Sequence, residues 1–168
     1  MFLAFAVAPA ASAADLPPDP FVDHGACPFE CCTYRGWTTV TAIDLFDKPN
    51  GRKIEKINSG LAVVGLTGDV VSHPIRLRAT RSYQEAGISK GDVFYALHYS
   101  GEGYWAVWHN GKVRQAQFFG DEIKDAHAEP GAEIQKDRSI WWVKIKLKSG
   151  QTGWAVSSGN FDNQDACG

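Results

Sequence analysis

The chain has 168 residues and a formal net charge of −2, with 17 Lys and Arg against 19 Asp and Glu. Hydrophobic residues make up 44% and aromatic residues 12%, with six Trp, so there is enough apolar material for a core. A near-neutral charge argues against the strongly basic surface that nucleic-acid binding requires, and we expect no nucleic-acid partner.

Residues 1–13 have the features of a cleaved signal peptide. Residues 2–8 are apolar, and Ala11-Ser12-Ala13 supplies the small residues that an export peptidase accepts. No Lys or Arg precedes the apolar run, which departs from the usual pattern, and an N-terminal core segment is the alternative. The run is too short to span a bilayer, and no later segment is apolar enough. We therefore predict a periplasmic or secreted protein without a membrane span.

Residues 14–38 form a Pro- and Cys-rich segment that holds three of the four cysteines. In an oxidising compartment, four cysteines predict two disulfides. A bond between the adjacent Cys31 and Cys32 would be strained, so Cys27 pairs with one of them and Cys167 with the other. We favour Cys27–Cys32 with Cys31–Cys167, because the longer local loop leaves more room for a turn. The second bond would tie the two ends of the chain together.

Two other roles for the cysteines fit the sequence less well. His24 and the three clustered cysteines lack the paired arms of the usual zinc sites. A catalytic thiolate needs an unpaired cysteine beside a base, whereas each cysteine here has a partner available. We expect no metal and no cofactor.

Short β signals follow along the rest of the chain. They lie at residues 39–46, 61–66, 75–80, 93–99, 104–109, 140–148 and 152–156. Thr67-Gly68-Asp69 predicts a break before the strand resumes at Val70, and Asn110-Gly111 predicts a two-residue hairpin. No window has a helical period longer than a turn or two, so the sequence predicts an all-β fold.

Residues 142–154, WVKIKLKSGQTGW, resemble the C-terminal half of bacterial SH3-like (SH3b-type) domains. The matching positions are Trp142, Val143, Ile145, Leu147, Gly150, Gly153 and Trp154. The resemblance is weaker upstream, where DLFDKP at residues 44–49 replaces the usual Asn-Val-Arg-Ser-Gly-Pro opening. It implies small SH3-like barrels in two tandem units, residues 39–119 and 120–168, stapled by the disulfides. It also implies a recognition or scaffolding unit of the cell envelope.

Strand alternation selects candidate binding residues. Within residues 140–148, Trp141, Val143, Ile145 and Leu147 share one face, and Trp142, Lys144, Lys146 and Lys148 share the other. A Trp on a lysine face is either packed under a neighbouring loop or exposed for a partner. Our hypothesis is an aromatic patch able to stack on a peptide or a sugar, formed by Tyr104, Trp105 or Trp108 together with Trp142. We expect His98 and His109 to form a cross-strand pair on a solvated face.

The sequence therefore predicts a non-catalytic binding module of the cell envelope, with a cell-wall peptide, a glycan or an envelope protein as its partner. The alternative is a secreted inhibitor of an envelope hydrolase, a lysozyme or a protease, acting through the loop Ser100–Gly103. We expect no enzymatic activity, because the sequence lacks paired catalytic acids, a nucleophile elbow, a P-loop and a dinucleotide fingerprint.

Overall fold

The computed structural model describes residues 16–118 and 139–167. The predicted signal peptide and the predicted boundary at residue 120 lie outside these ranges. Within them, every regular element is a β-strand apart from one 3-10 turn at Gln84–Ala86, so the prediction of an all-β fold is confirmed. No helix in the described part of the chain is long and apolar enough to cross a bilayer.

The strands form two antiparallel sheets. In chain order they are β1 Phe21–His24, β2 Gly36–Thr39, β3 Ile43–Phe46, β4 Lys53–Ile57, β5 Ala62–Ser72, β6 Ile75–Arg78, β7 Val93–Gly101, β8 Tyr104–His109, β9 Lys112–Gln117, β10 Ser139–Lys146, β11 Thr152–Val156 and β12 Phe161–Asp162. The first sheet is a curled half-barrel with the order β12-β2-β5-β10-β11-β3-β4. The second is the meander β6-β7-β8-β9.

The long strand β5 organises the first sheet. Along one edge it pairs with β2 near residues 62–64 and with β1 near residues 69–72. Along the other edge it pairs with β10 over residues 64–72. Neighbouring strands therefore occupy most of both edges of β5, and its outward face is available for contact.

Period-two alternation builds the core of the first sheet. Its buried members are Trp37, Ile43, Leu45, Ile57, Val63, Val143, Ile145, Ala155 and Phe161. Trp141 and Leu147 pack against this cluster, as expected for the face they share with Val143 and Ile145. The predicted inner face of β10 is therefore confirmed.

The second sheet has its own core on one face. Ile75, Leu77 and Ala79 are buried while Arg76 and Arg78 are exposed, as their alternation predicts. Asn110 and Gly111 both have positive φ and join β8 to β9, which confirms the predicted hairpin. The cluster is completed by Tyr83, Ala86, Ile88, Phe94, Ala96, Trp105, Val107, Ala116 and Phe118.

Two tandem units split at residue 120 are not confirmed. The strands β5 and β10 lie on opposite sides of that position in the sequence, yet they are neighbours in the same sheet. The second sheet, residues 75–117, is inserted between them. The pairing of β5 with β10 therefore does not follow the division into two units that the SH3-like resemblance implies.

Strand β1 connects the two sheets. It pairs with β5, and its Phe21 packs with Leu97 and Ala106 of the second sheet, with Trp108 beside them. Asp23 on the same strand accepts a hydrogen bond from His98 Nε2 at 2.9 Å. Apolar and polar contacts from this short strand therefore hold the meander against the half-barrel.

The predicted break at Thr67-Gly68-Asp69 is wrong, since β5 runs through these residues without interruption. Gly68 is there for packing: a Cβ at this position would collide with the indole of Trp141 and the hydroxyl of Tyr34. The predicted strand at residues 39–46 is divided instead, because β2 ends at Thr39 and β3 begins at Ile43.

Both disulfides are present, and their pairing is the one that the sequence favours. Cys27 is bonded to Cys32, and Cys31 is bonded to Cys167, 136 positions away. Arg35 adds to the second link, donating to the side chain of Asn163 at 2.7 Å. The C-terminal segment is therefore tied to the cysteine loop beside β2.

Candidate functional site

The predicted aromatic patch does not form as one exposed surface. Trp105 is only 6% exposed and belongs to the core of the second sheet. Trp142 is 4% exposed and lies edge-on to Phe46 of the first sheet, with 5.4 Å between ring centroids. Burial in two separate clusters leaves neither ring with a free face to stack on a ligand.

The other two aromatic candidates are half-buried on the opposite face of β8 from Trp105. Tyr104 begins the strand, and Trp108 packs beside Phe21, Leu97 and Ala106 at the junction of the two sheets. Trp108 therefore contributes to holding the sheets together. The four predicted residues are not brought to one place.

The expected pair of His98 and His109 on a solvated face is wrong. Both rings are buried, at 3% and 7% exposure. His98 contacts Asp23 through Nε2 and the Tyr99 carbonyl through Nδ1. His109 lies 3.5 Å from Asp92. Each histidine therefore contacts a separate carboxylate, Asp23 for His98 and Asp92 for His109. Nothing in the local sequence of either histidine indicates which Asp will lie beside it.

Possible metal ligands are clustered at one point of the described chain. Cys31, Asp165 and Cys167 each offer an atom within 4.8 Å of the others. Both sulfurs are already joined in a disulfide and are not the thiolates that a metal site requires. This cluster does not offer a competent donor set.

Three carboxylates meet near the same disulfide. The negative charge of Glu102 is the main cause that raises the pKa of Glu30, and Asp165 adds to it. The hairpin that carries Glu102 packs closely on the cysteine loop, because a Cβ at Gly101 would lie 2.9 Å from the Glu30 amide nitrogen. The carboxylates of Glu30, Glu102 and Asp165 therefore repel one another where the hairpin packs on the cysteine loop.

An open groove lies over the half-barrel where β2, β5 and the end of β10 run side by side. Its volume is about 670 Å³. It is lined by Gly36, Trp37, Thr38, Ala62, Val63, Val64, Leu66, Lys146, Leu147 and Lys148. A groove of this size is within the usual range for ligand sites.

Alternation along β5 places an apolar row in this groove. Ala62, Val64 and Leu66 are exposed, whereas Val63 and Gly65 between them are buried. Val64 is 46% exposed and Leu66 41%. The register between β5 and β10 passes from Gly65 to Thr67 and skips Leu66, which is therefore the extra residue of a β-bulge.

A row of lysines runs beside the apolar row. Lys146 is the register partner of Val64, and Lys144 is that of Thr67. Neighbouring strands are about 4.8 Å apart, so the ammonium groups lie within side-chain reach of the apolar row. Lys148, also in the lining, extends the row past the end of β10.

The cationic row is uncompensated within residues 16–118 and 139–167. None of Lys144, Lys146 and Lys148 makes a salt bridge there. On the other side of the groove, Asp162 of β12 pairs with Thr38, and its carboxylate accepts a hydrogen bond from the Asn163 amide at 2.9 Å. One long side of the groove is therefore positive.

An aromatic cluster supports the groove from the core side. Trp37 is 1% exposed, donates a hydrogen bond from Nε1 to the Thr33 carbonyl at 3.0 Å, and contacts Phe161 and Trp141. Gly65 lies directly against its ring, since a Cβ there would be 2.7–2.8 Å from three ring atoms. This close packing fixes the spacing of β2 and β5.

The lining residues include no Cys, His, Asp or Glu, and their functional groups are the Thr38 hydroxyl and the ammonium groups of Lys146 and Lys148. The sequence indicated the lysine face of β10 but not the apolar row of β5, because those two segments become neighbours only through long-range pairing. Comparison of the chain with protein-family models, with curated proteins and with solved structures found no match.

Proposed function

We propose that this chain is a non-catalytic binding module of SH3-like type that works in the cell envelope, and that the groove over β2, β5 and β10 is its binding surface. The observation that carries the proposal is the uncovered apolar row of β5 with lysines along one side. Exposed aliphatic side chains grouped in a concave surface are typical of recognition sites.

The architecture supports an envelope location. Two disulfides stabilise proteins in oxidising compartments and are rare elsewhere. The paired strands β10 and β11, which carry Trp142 and Trp154 on either side of a Gly turn, lie inside the curled half-barrel, and the SH3-like resemblance of residues 142–154 implies such a pair in a small barrel. Fold alone does not establish function, and the proposal therefore depends on the groove.

The inhibitor alternative depends on the hairpin loop Ser100–Gly103. That loop is packed against the cysteine segment at Gly101, and the Gly103 amide donates to the Tyr99 hydroxyl at 3.1 Å. A loop held down in this way offers less surface to an enzyme cleft than the groove offers to a ligand. The packing favours the groove.

Co-sedimentation with purified cell-wall material, together with pull-down of detergent-solubilised envelope proteins, tests the proposal. We expect the mature protein to bind one of the two fractions and Val64→Ser/Leu66→Ser to weaken binding at least tenfold. Tenfold corresponds to about 1.4 kcal/mol, less than the loss of two buried aliphatic side chains.

Val113→Ser is the matched control. Val113 lies on β9 of the second sheet and is 47% exposed, against 46% for Val64. We expect this variant to bind like the wild type. Equal binding by the groove variant and the wild type would refute the groove as the binding surface, and inhibition of a lysozyme or protease at one-to-one stoichiometry would favour the alternative.

A further inference from the structure

The groove is suited to a more specific ligand than a cell-envelope partner in general. We infer that it takes an extended, acidic peptide segment of a protein partner, laid along β5 with apolar side chains on Val64 and Leu66 and carboxylates on Lys146 and Lys148. The inference rests on the proposed function, since it names the ligand class of the same groove.

The spacing of the apolar row matches an extended peptide. Val64 and Leu66 are two positions apart on one strand, which places their Cα atoms about 7 Å apart. Alternate side chains of an extended ligand have the same repeat. A peptide of about five residues spans the row from Ala62 to Leu66, and its side chains on that face meet successive members of the row.

Backbone pairing does not explain binding here. One edge of β5 is paired with β2 over residues 62–64, and the other edge is paired with β10 from Val64 to Ser72, so neither edge is open along the whole row from Ala62 to Leu66. The ligand therefore lies on the face of the sheet, where side-chain chemistry selects it. This differs from peptides that add a strand to an open sheet edge.

Charge selects acidic residues in the ligand. Lys146 and Lys148 are exposed and make no salt bridge within the described ranges. Lys146 is the register partner of Val64, and Lys148 lines the same groove. Asp162 stands on the opposite side of the groove, beyond Thr38. A ligand with carboxylates on one side and apolar side chains beside them satisfies both features.

The groove offers little to a sugar ring. Trp37 is its aromatic lining residue, and that ring is 1% exposed and packed on the core side of the sheet. Sugar recognition commonly uses an exposed aromatic face, whereas aliphatic rows beside lysines suit a peptide. These features favour a peptide over a glycan.

Selection from a phage-displayed library of random 12-residue peptides against the immobilised mature protein tests the inference. We expect enriched sequences to combine Asp or Glu with Leu, Ile or Val. Synthetic copies of these peptides should bind about tenfold more weakly to Lys146→Glu/Lys148→Glu, and more weakly at high salt. Far-UV circular dichroism checks that the variant is folded. The neutral variant Lys146→Gln/Lys148→Gln removes the positive charges without adding negative ones, so it separates the loss of attraction to the peptide from added repulsion.

Lys112→Glu on β9 is the matched charge control and should bind like the wild type. Enrichment of neutral or basic peptides, or no enrichment at all, overturns the inference. Tighter binding of a soluble wall stem peptide than of the selected peptides overturns the assignment to a protein partner. Each of these results is separable from the proposed function, because co-sedimentation with wall material and pull-down of envelope proteins report that function independently.

Discussion

The contact between Gly65 and Trp37 makes a quantitative prediction about the strand that carries the groove. In Gly65→Ala the new Cβ would lie 2.7–2.8 Å from three ring atoms, whereas carbon atoms in contact are normally about 3.5 Å apart or more. The ring would have to retreat by about 0.8 Å. Trp37 is 1% exposed and is enclosed by Tyr34, Trp141 and Phe161, so a retreat displaces these rings as well.

Overpacking of this kind destabilises a core by about 1–3 kcal/mol, and we expect Gly65→Ala to lower the free energy of unfolding by about 2 kcal/mol. Gly36→Ala is the matched control on the neighbouring strand: its Cβ would meet no atom within 4 Å, and its φ is not positive. That variant should be neutral or more stable by about 0.5 kcal/mol, since it restricts the unfolded chain.

Denaturant unfolding followed by tryptophan fluorescence, with the disulfides intact, measures both variants. Near-ultraviolet circular dichroism should also change in Gly65→Ala, because Trp37 shifts within an aromatic cluster. If Gly65→Ala proved as stable as Gly36→Ala, with an unchanged near-ultraviolet spectrum, the close packing of Trp37 on β5 would be refuted.

Two further predictions concern the corner around the cysteine loop. Replacing Cys31 and Cys167 by Ala removes a disulfide that links positions 136 apart, and in the chain-entropy model it should lower the free energy of unfolding by up to about 5 kcal/mol. A loss below about 1 kcal/mol would contradict a stabilising role for this disulfide. Glu30→Gln should stabilise the protein at pH 7, because the Glu102 charge raises the pKa of Glu30 and so penalises its ionised form in the folded state. The gain in stability is present at pH values above the raised pKa of Glu30 and should fade as the pH falls through that pKa. Denaturation midpoints of the variant and the wild type, measured at pH 7 and near pH 3.5, check this expectation. An equal gain at both pH values would exclude repulsion between Glu30 and Glu102 as its cause.

Local patterns accounted for the fold class, for most of the longer strands and for the faces of β6 and β10, whereas β1, β4 and β12 were not predicted. The alternation of Ile75, Leu77 and Ala79 with arginines predicted the buried face of β6, and Asn110-Gly111 predicted the hairpin of β8 and β9. These signals depend on a period of two and on backbone conformations that a few adjacent residues favour. The glycine at position 68 misled the same reasoning, because its role is to admit two aromatic side chains from other parts of the chain.

The candidate site was only half visible in the sequence. The lysine row of β10 followed from alternation, but the outward row of β5 was not predicted, and nothing local indicated that the two rows lie side by side. Two of the Trp residues that were candidate ligand contacts, Trp105 and Trp142, are buried, with 6% and 4% of the residue exposed. A large ring is buried wherever a neighbouring element covers it, and that neighbour is set by the tertiary structure.

By itself the sequence determined an all-β chain with two disulfides and the inward and outward faces of β6 and β10, because short-range sterics and hydrophobic periodicity act within a few residues. The tertiary structure alone decided that residues 75–117 are inserted between β5 and β10, and that β5 and β10 pair to form a groove. Pairing across that distance depends on which apolar faces can be buried together, a property of the whole chain and not of any one segment.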